Sequence, residues 1–243
     1  DGDGKIALIR GVFGGGGSAN NDVLDYINIV AAGNATDFGD LTVIRSYPSA
    51  CSDSTRGVFA GGSGSSNVID YITIATTGNT TDFGDLTVGR QFSGACADAT
   101  RGVFGGGYSG SRVDVLDYIT IQTTSNATDF GDLTVIREAP VGCADATRGV
   151  FGGGYIGSAS NTIDYITIQT TSNATDFGDL TVGRYALGAC ADATRGVFGG
   201  GGSSNVLDYI TIATTSNATD FGDLTVIRSY LAACADATRG VFG

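Results

Sequence analysis

The chain has 243 residues, 42% of them hydrophobic and only 16% charged, with a net charge of −12. It contains no His, which removes the usual neutral-pH acid/base and excludes Ser-His-Asp and Cys-His catalysis. The acidic surplus opposes non-specific binding to nucleic acid, and no apolar run approaches the ~18 residues of a membrane span.

From the start of the chain, Asp1-Gly2-Asp3-Gly4 resembles part of a calcium loop but lacks the downstream Glu of an EF-hand. The lack of Met places Asp1 inside a longer product, and no secretory signal is present. Then a repeat begins. Arg-Gly-Val-Phe occurs at Arg10, Arg56, Arg101, Arg148, Arg195 and Arg239, at spacings of 46, 45, 47, 47 and 44. Asp-Phe-Gly-Asp-Leu-Thr starts at Asp37, Asp82, Asp129, Asp176 and Asp220, and each unit carries one cysteine (Cys51, Cys96, Cys143, Cys190, Cys234). The chain therefore reads as one domain over 1–243, built from repeats at about 10–55, 56–100, 101–147, 148–194 and 195–238, with a partial repeat at 239–243.

One unit, residues 138–182, predicts four short strands. The first covers Ala139–Ala144 and the second Arg148–Phe151, stopped by three glycines. The third, Thr162–Thr170, is rich in β-branched residues. The fourth, Thr175–Val182, follows the turn Thr171-Ser172-Asn173. Apolar groups alternate onto both faces of the third strand (Ile163 and Tyr165 against Ile166 and Ile168), which suits a sheet sandwiched between neighbours. No window carries a helical period.

An apolar-Phe-Gly-Gly strand, a Tyr strand, an aromatic-Gly-x-Leu strand and then an Arg is the order of kelch-type repeats, which this array resembles over residues 10–243. It departs from them in carrying Phe38, Phe83, Phe130, Phe177 and Phe221 where the kelch Trp would stand. The wording Asn-Ala-Thr-Asp-Phe-Gly-Asp-Leu-Thr is also similar to kelch-like arrays in tail-fibre and other virion proteins of marine tailed phages. The resemblance implies an all-β, five-bladed β-propeller of four-stranded antiparallel blades. A six-bladed ring completed by another chain is the alternative. Leu231–Ala237 is placed to close the first blade as its inner strand, which leaves the last Arg-Gly-Val-Phe-Gly redundant.

The connections differ in how much they vary. The turns Asp-Ala-Thr-Arg and Thr-Ser-Asn-Ala-Thr-Asp are nearly constant. The segments after the fourth strand vary, and so do those between strands two and three (17–22, 63–66, 108–114, 155–161, 202–204). In an up-and-down blade alternate connections share a side, so all variable segments fall on one face of the disc. That face carries Tyr47, Phe92, Tyr108, Arg112, Glu138, Tyr155, Tyr185 and Tyr230 as candidate ligand-binding residues. Tyr beside Ser, Asn and Gly suits sugars or protein surfaces. Loop tolerance alone also explains such variation.

Asn34, Asn79, Asn126, Asn173 and Asn217 head Asn-x-Thr sequons, candidate glycan acceptors on the constant face, with a structural turn role as the favoured reading. The cysteines read as reduced and buried, no metal site is expected, and no cofactor is implied. Arg and Asp recur in phase and are expected to form ion pairs between blades. The resemblance implies a non-catalytic virion or surface module, structural or receptor-binding, in a virion or extracellular setting. Its partners would be other virion or surface proteins and host-surface glycan, without nucleic acid or membrane insertion, and self-association stays open. A lectin-like carbohydrate-binding propeller is the alternative. A glycosidase is the least favoured reading, because nearly all Asp are repeat-equivalent and Glu138 is the only candidate on the variable face, where two differently tuned carboxylates are needed.

Overall fold

The computed structural model describes residues 10–16 and 21–243. The Asp1–Gly4 motif and part of the first variable segment, 17–20, lie outside them. Blade one is β1 (Arg10–Gly14), β2 (Val23–Asn28) and β3 (Thr36–Asp40). Blade two is β4 (Ser49–Ser52), β5 (Arg56–Ala60), β6 (Val68–Thr73) and β7 (Thr81–Asp85). Blade three is β8 (Gly94–Ala97), β9 (Arg101–Tyr108), β10 (Arg112–Thr120) and β11 (Thr128–Asp132). Blade four is β12 (Val141–Ala144), β13 (Arg148–Gly152), β14 (Thr162–Thr167) and β15 (Thr175–Asp179). Blade five is β16 (Gly188–Ala191), β17 (Arg195–Gly199), β18 (Val206–Thr211) and β19 (Thr219–Asp223). A two-stranded ribbon, β20 (Ala233–Ala235) and β21 (Gly240–Phe242), ends the chain.

The fold is a five-bladed β-propeller, all-β, with antiparallel up-and-down blades. Blades two to five have four strands each and blade one has three. The inner strands β4, β8, β12, β16 and β20 surround one axis. The third and fourth strands are shorter than the β propensity predicts. In blade four the third stops at Thr167 because the N–H of Thr170 turns back onto the Thr167 carbonyl, while Ile168 bonds to Thr147.

The closing strand is also different from the expectation. β20 pairs with β21, not with β1. The pairing is local: Asp236 Oδ1 accepts the N–H groups of Thr238 and Arg239, which folds the ribbon into a tight turn with little loop entropy lost. The ribbon sits at the seam between blades five and one. The Cys190 side chain lies against Gly240, the Cys234 side chain lies against Gly11, and Arg239 donates to the Ile29 carbonyl.

The core lies between blades. Phe83 and Leu86 of blade two pack with Phe104, Ile119 and Ile121 of blade three, and the same residues recur at the next two interfaces. A bulge shapes each of these sheets. The register runs Leu116 to Gly131 and then Asp117 to Asp129, skipping Phe130. The bulge aims Asp117 inward, and Asp70, Asp117, Asp164 and Asp208 are all fully buried.

Each buried Asp meets an equally buried Arg from the segment that follows the outer strand of the preceding blade. Arg45 pairs with Asp70 at 2.9 Å, Arg90 with Asp117 at 2.7 Å, Arg137 with Asp164 at 2.9 Å, and Arg184 with Asp208. Thr42, Thr87, Thr134 and Thr181 hydroxyls donate to the same carboxylates. Burial pushes the arginines below their usual pKa, and the facing carboxylate pulls them back. Among the described residues the second set of repeated arginines forms no ion pair within 4 Å. Arg56, Arg101 and Arg148 lie over Tyr71, Tyr118 and Tyr165 at 4.1–4.4 Å and donate to a carbonyl of the next blade.

Gly131 at the bulge has φ +138, and a Cβ there would stand 2.6 Å from the Ser172 carbonyl oxygen of the next blade. Gly131→Ala combines backbone strain with a main-chain clash. It is expected to cost about 2–4 kcal/mol, read as a fall in the urea midpoint with an unchanged slope.

Candidate functional site

The strand order places the variable connections at one end of the axis. Tyr47, Phe92, Ala139, Ala186 and Tyr230 occupy equivalent junctions between an outer strand and the next inner strand. All five have left-handed backbone, φ 52–58°. A hydrogen-bonded belt joins four of them. Ala139 N–H donates to the Phe92 carbonyl, Ala186 N–H to Ala139, and Tyr230 N–H to Ala186.

Side chains from this belt make the first cluster. Tyr47 and Phe92 rings lie 4.5 Å apart, Tyr47 and Tyr230 5.6 Å, and Phe92 and Tyr230 6.3 Å. The trio stands at the mouth of an axial cavity of about 360 Å³ whose wall includes Pro48, Pro140, Leu187 and Leu231. Tyr230 is 59% exposed, so the platform faces solvent.

The second cluster stands beside it. Tyr155 and Tyr185 rings are 5.2 Å apart. Arg112 lies over the Tyr155 ring at 4.8 Å and reaches Glu138 at 3.3 Å. Glu138 and Tyr155 also exchange backbone bonds. Burial raises the Tyr230 hydroxyl, and Tyr47, Tyr185 and Glu138 raise it further, so the two clusters share one electrostatic neighbourhood. Tyr108 exchanges backbone bonds with Gln91 and braces the junction beside Phe92 without joining a ring cluster. Seven of the eight residues read from the sequence thus fall into two adjoining clusters. The sequence reading missed the belt itself, since nothing in the letters marks Ala139 or Ala186 as left-handed.

The opposite end of the axis is built differently. A pit of about 430 Å³ is ringed by Asp53, Asp98, Asp145, Asp192 and Asp236. Each carboxylate accepts the N–H groups of the turn that follows it. The sequon asparagines are structural as well. Asn79, Asn126, Asn173 and Asn217 each accept the N–H of an outer-strand Asp in the preceding blade at 3.1 Å. Asn34 accepts none among the described residues.

The cysteines are free, and their sulfurs pack on glycines of the next sheet. Burial pushes the Cys51 thiol up to about 12 and Cys190 up to about 11, and it also raises Cys96, Cys143 and Cys234. Among the described residues no group of three or more metal-ligating side chains comes together.

The chain matches no family model and no curated protein.

The titrations set a pH range for stability. Backbone N–H groups of Arg195 and Thr194 lower Asp192, and those of Thr238 and Arg239, with the Thr238 hydroxyl, lower Asp236. Burial raises Asp53 and Asp98, but bonds from Gln122 and Gln169 and from the turn amides outweigh it and leave both lowered. Asp132 moves up, through burial and the nearby Asp114 and Asp129. A lowered carboxylate stabilises the fold above the unfolded value near ~4, and that contribution is lost as pH falls through the folded value. A raised thiol favours the fold only until the unfolded thiol ionises near ~8.5. With no His to titrate between, the melting temperature is expected to be flat from about pH 5 to 8 and to fall on both sides. Calorimetry across pH checks this, and a step centred between pH 6 and 7 contradicts it.

Proposed function

We propose that the chain is a non-catalytic binding module that recognises its ligand with the variable-loop face, as a structural or receptor-binding propeller of a virion or cell surface. One observation carries the reading. Five equivalent junctions carry left-handed backbone, four of them linked by the belt, a conformation that Gly or Asn supplies at least strain. Three of the five positions instead hold Tyr47, Phe92 and Tyr230, gathered at the axis with one ring largely in water. Bulky aromatics in strained backbone at a solvent-facing mouth are expensive for the fold and useful to a ligand.

The non-catalytic part rests on how the carboxylates are used. The buried aspartates are tied to arginines, the pit aspartates cap turns, and Glu138 is held by Arg112. A glycosidase needs two differently tuned carboxylates flanking one bond. The virion or extracellular setting, and partners among virion or host-surface molecules, come from the resemblance of the repeat wording to kelch-like fibre arrays.

A lectin-like role is the second reading, favoured by the flat Tyr faces beside a polar Arg112–Glu138 pair, which suit the apolar faces and hydroxyls of a sugar ring. A glycan array, with immobilised host-surface protein in parallel, is the test. Binding is expected to fall at least tenfold in a Tyr47→Ala/Phe92→Ala/Tyr230→Ala triple variant. It should be unchanged in Asn126→Asp on the opposite face. Ligand capture that is indifferent to the triple variant overturns the assignment of the face.

A further inference from the structure

The interface between successive blades is made four times from the same parts. From its outer strand onward, each blade offers a buried Phe, a Gly, an Asp N–H and a final Arg. The next blade receives them with the turn before its outer strand, a sequon Asn and a buried Asp. Among the described residues nothing receives these parts from blade five. Phe221 is 53% exposed where Phe38, Phe83, Phe130 and Phe177 are 2% exposed. Gly222 faces open space, where Gly84, Gly131 and Gly178 each lie under the next blade's turn. Arg228 is exposed and, among the described residues, has no carboxylate partner.

Blade one holds the matching receptors, also unused. Asp25 is exposed where its four counterparts are fully buried, and Asn34 accepts no bond among the described residues. A third mismatch lies inside the ring. Gly11, Gly102, Gly149, Gly196 and Gly240 each sit against a cysteine sulfur of the preceding sheet, whereas Gly57 sits against none. Every surplus on one flank of the seam is a deficit on the other. Residues 239–243 also repeat residues 10–14 letter for letter, Arg-Gly-Val-Phe-Gly.

We propose that the ring closes by strand exchange: β21 replaces β1 beside β2, blade one becomes β20–β21–β2–β3, and blades five and one join directly through an Arg228–Asp25 ion pair. The ladder bonds that β1 gives up are remade by identical residues. The β20–β21 hairpin stays intact, Arg239 takes the place of Arg10 over Tyr26, and Cys234 moves from Gly11 to Gly57. The exchange adds what the present seam lacks: a fifth Arg–Asp pair out of water, cover for Phe221, and an Asp223 N–H bond to Asn34. Two strands of equal sequence competing for one partner is the condition under which strand exchange proceeds at low cost.

The full-length chain tests this through a charge-swap cycle. Arg228→Asp and Asp25→Arg are each expected to lower the melting temperature by about 6–15 °C, and the double swap to recover at least half of that loss. Two unpaired surface residues would instead give shifts under about 2 °C that simply add, which would overturn the proposal. Hydrogen exchange on the unmodified chain reads the same event without a variant. Slow exchange in β21 with fast exchange in β1 is expected, and protection of both strands contradicts it. Light scattering accompanies both measurements. A monomer at all concentrations is expected. Coupling that appears only with a dimer would place the contact between two copies and overturn closure within one chain.

Discussion

The buried Arg–Asp pair between successive blades is the contact on which the rest of the molecule depends. A four-stranded sheet of five-residue strands is too small to bury both faces alone, so every blade is stable only against its neighbours. Apolar contact supplies attraction but tolerates sliding. A guanidinium and a carboxylate with no access to water tolerate little, because any displacement leaves an uncompensated charge in the interior. The pair thus sets the angle and height at which one blade meets the next. The bulge at the outer strand exists in the service of this contact, since it turns the Asp of the third strand inward. The glycine beside it lets the following blade's turn approach closely enough to seal the pair.

This constraint divides the molecule into a face that is free to vary and a face that is not. The turns of the constant face carry the Asp caps and the sequon asparagines that bind one blade to the next, so each is occupied by structure. The connections at the other end lie beyond the Arg that closes each interface. Their backbone is held by the junction belt, and their side chains are left to other uses. Tyr47, Phe92 and Tyr230 gather there because identical junctions converge on one axis. Tyr155, Tyr185, Arg112 and Glu138 gather beside them because blade three extends its β9–β10 hairpin as far as Tyr108 and Arg112, and the long β13–β14 connection of blade four brings Tyr155 against it.

Much of this was legible in the letters. The phased Arg-Gly-Val-Phe and Asp-Phe-Gly-Asp strings set the number of blades and the order of strands, and in-phase Arg and Asp announced charge pairs between blades. Alternation of connections placed all eight candidate residues at one end. What was not legible depends on three-dimensional closeness. The two arginines of each unit look alike in sequence, yet only the one that follows the outer strand is buried with a carboxylate, while the other stacks on Tyr. The sequons read as turn residues, but the letters do not show that Asn79, Asn126, Asn173 and Asn217 bind strands of another blade, some 40 residues distant. The closing strand went astray because residues 10–14 and 239–243 are the same five letters, so no local signal distinguishes the partner of β20.

The most direct test of the account is a double-mutant cycle at the interface of blades three and four, Arg137→Met and Asp164→Leu, followed by urea unfolding. If the buried pair sets the interface, each single substitution strands a charge in the interior and costs about 3–5 kcal/mol, and the double variant regains about 2 kcal/mol or more over the sum of the two. Losses that add within about 0.5 kcal/mol would mean that the two groups do not sense each other, and that apolar contact alone orders the blades.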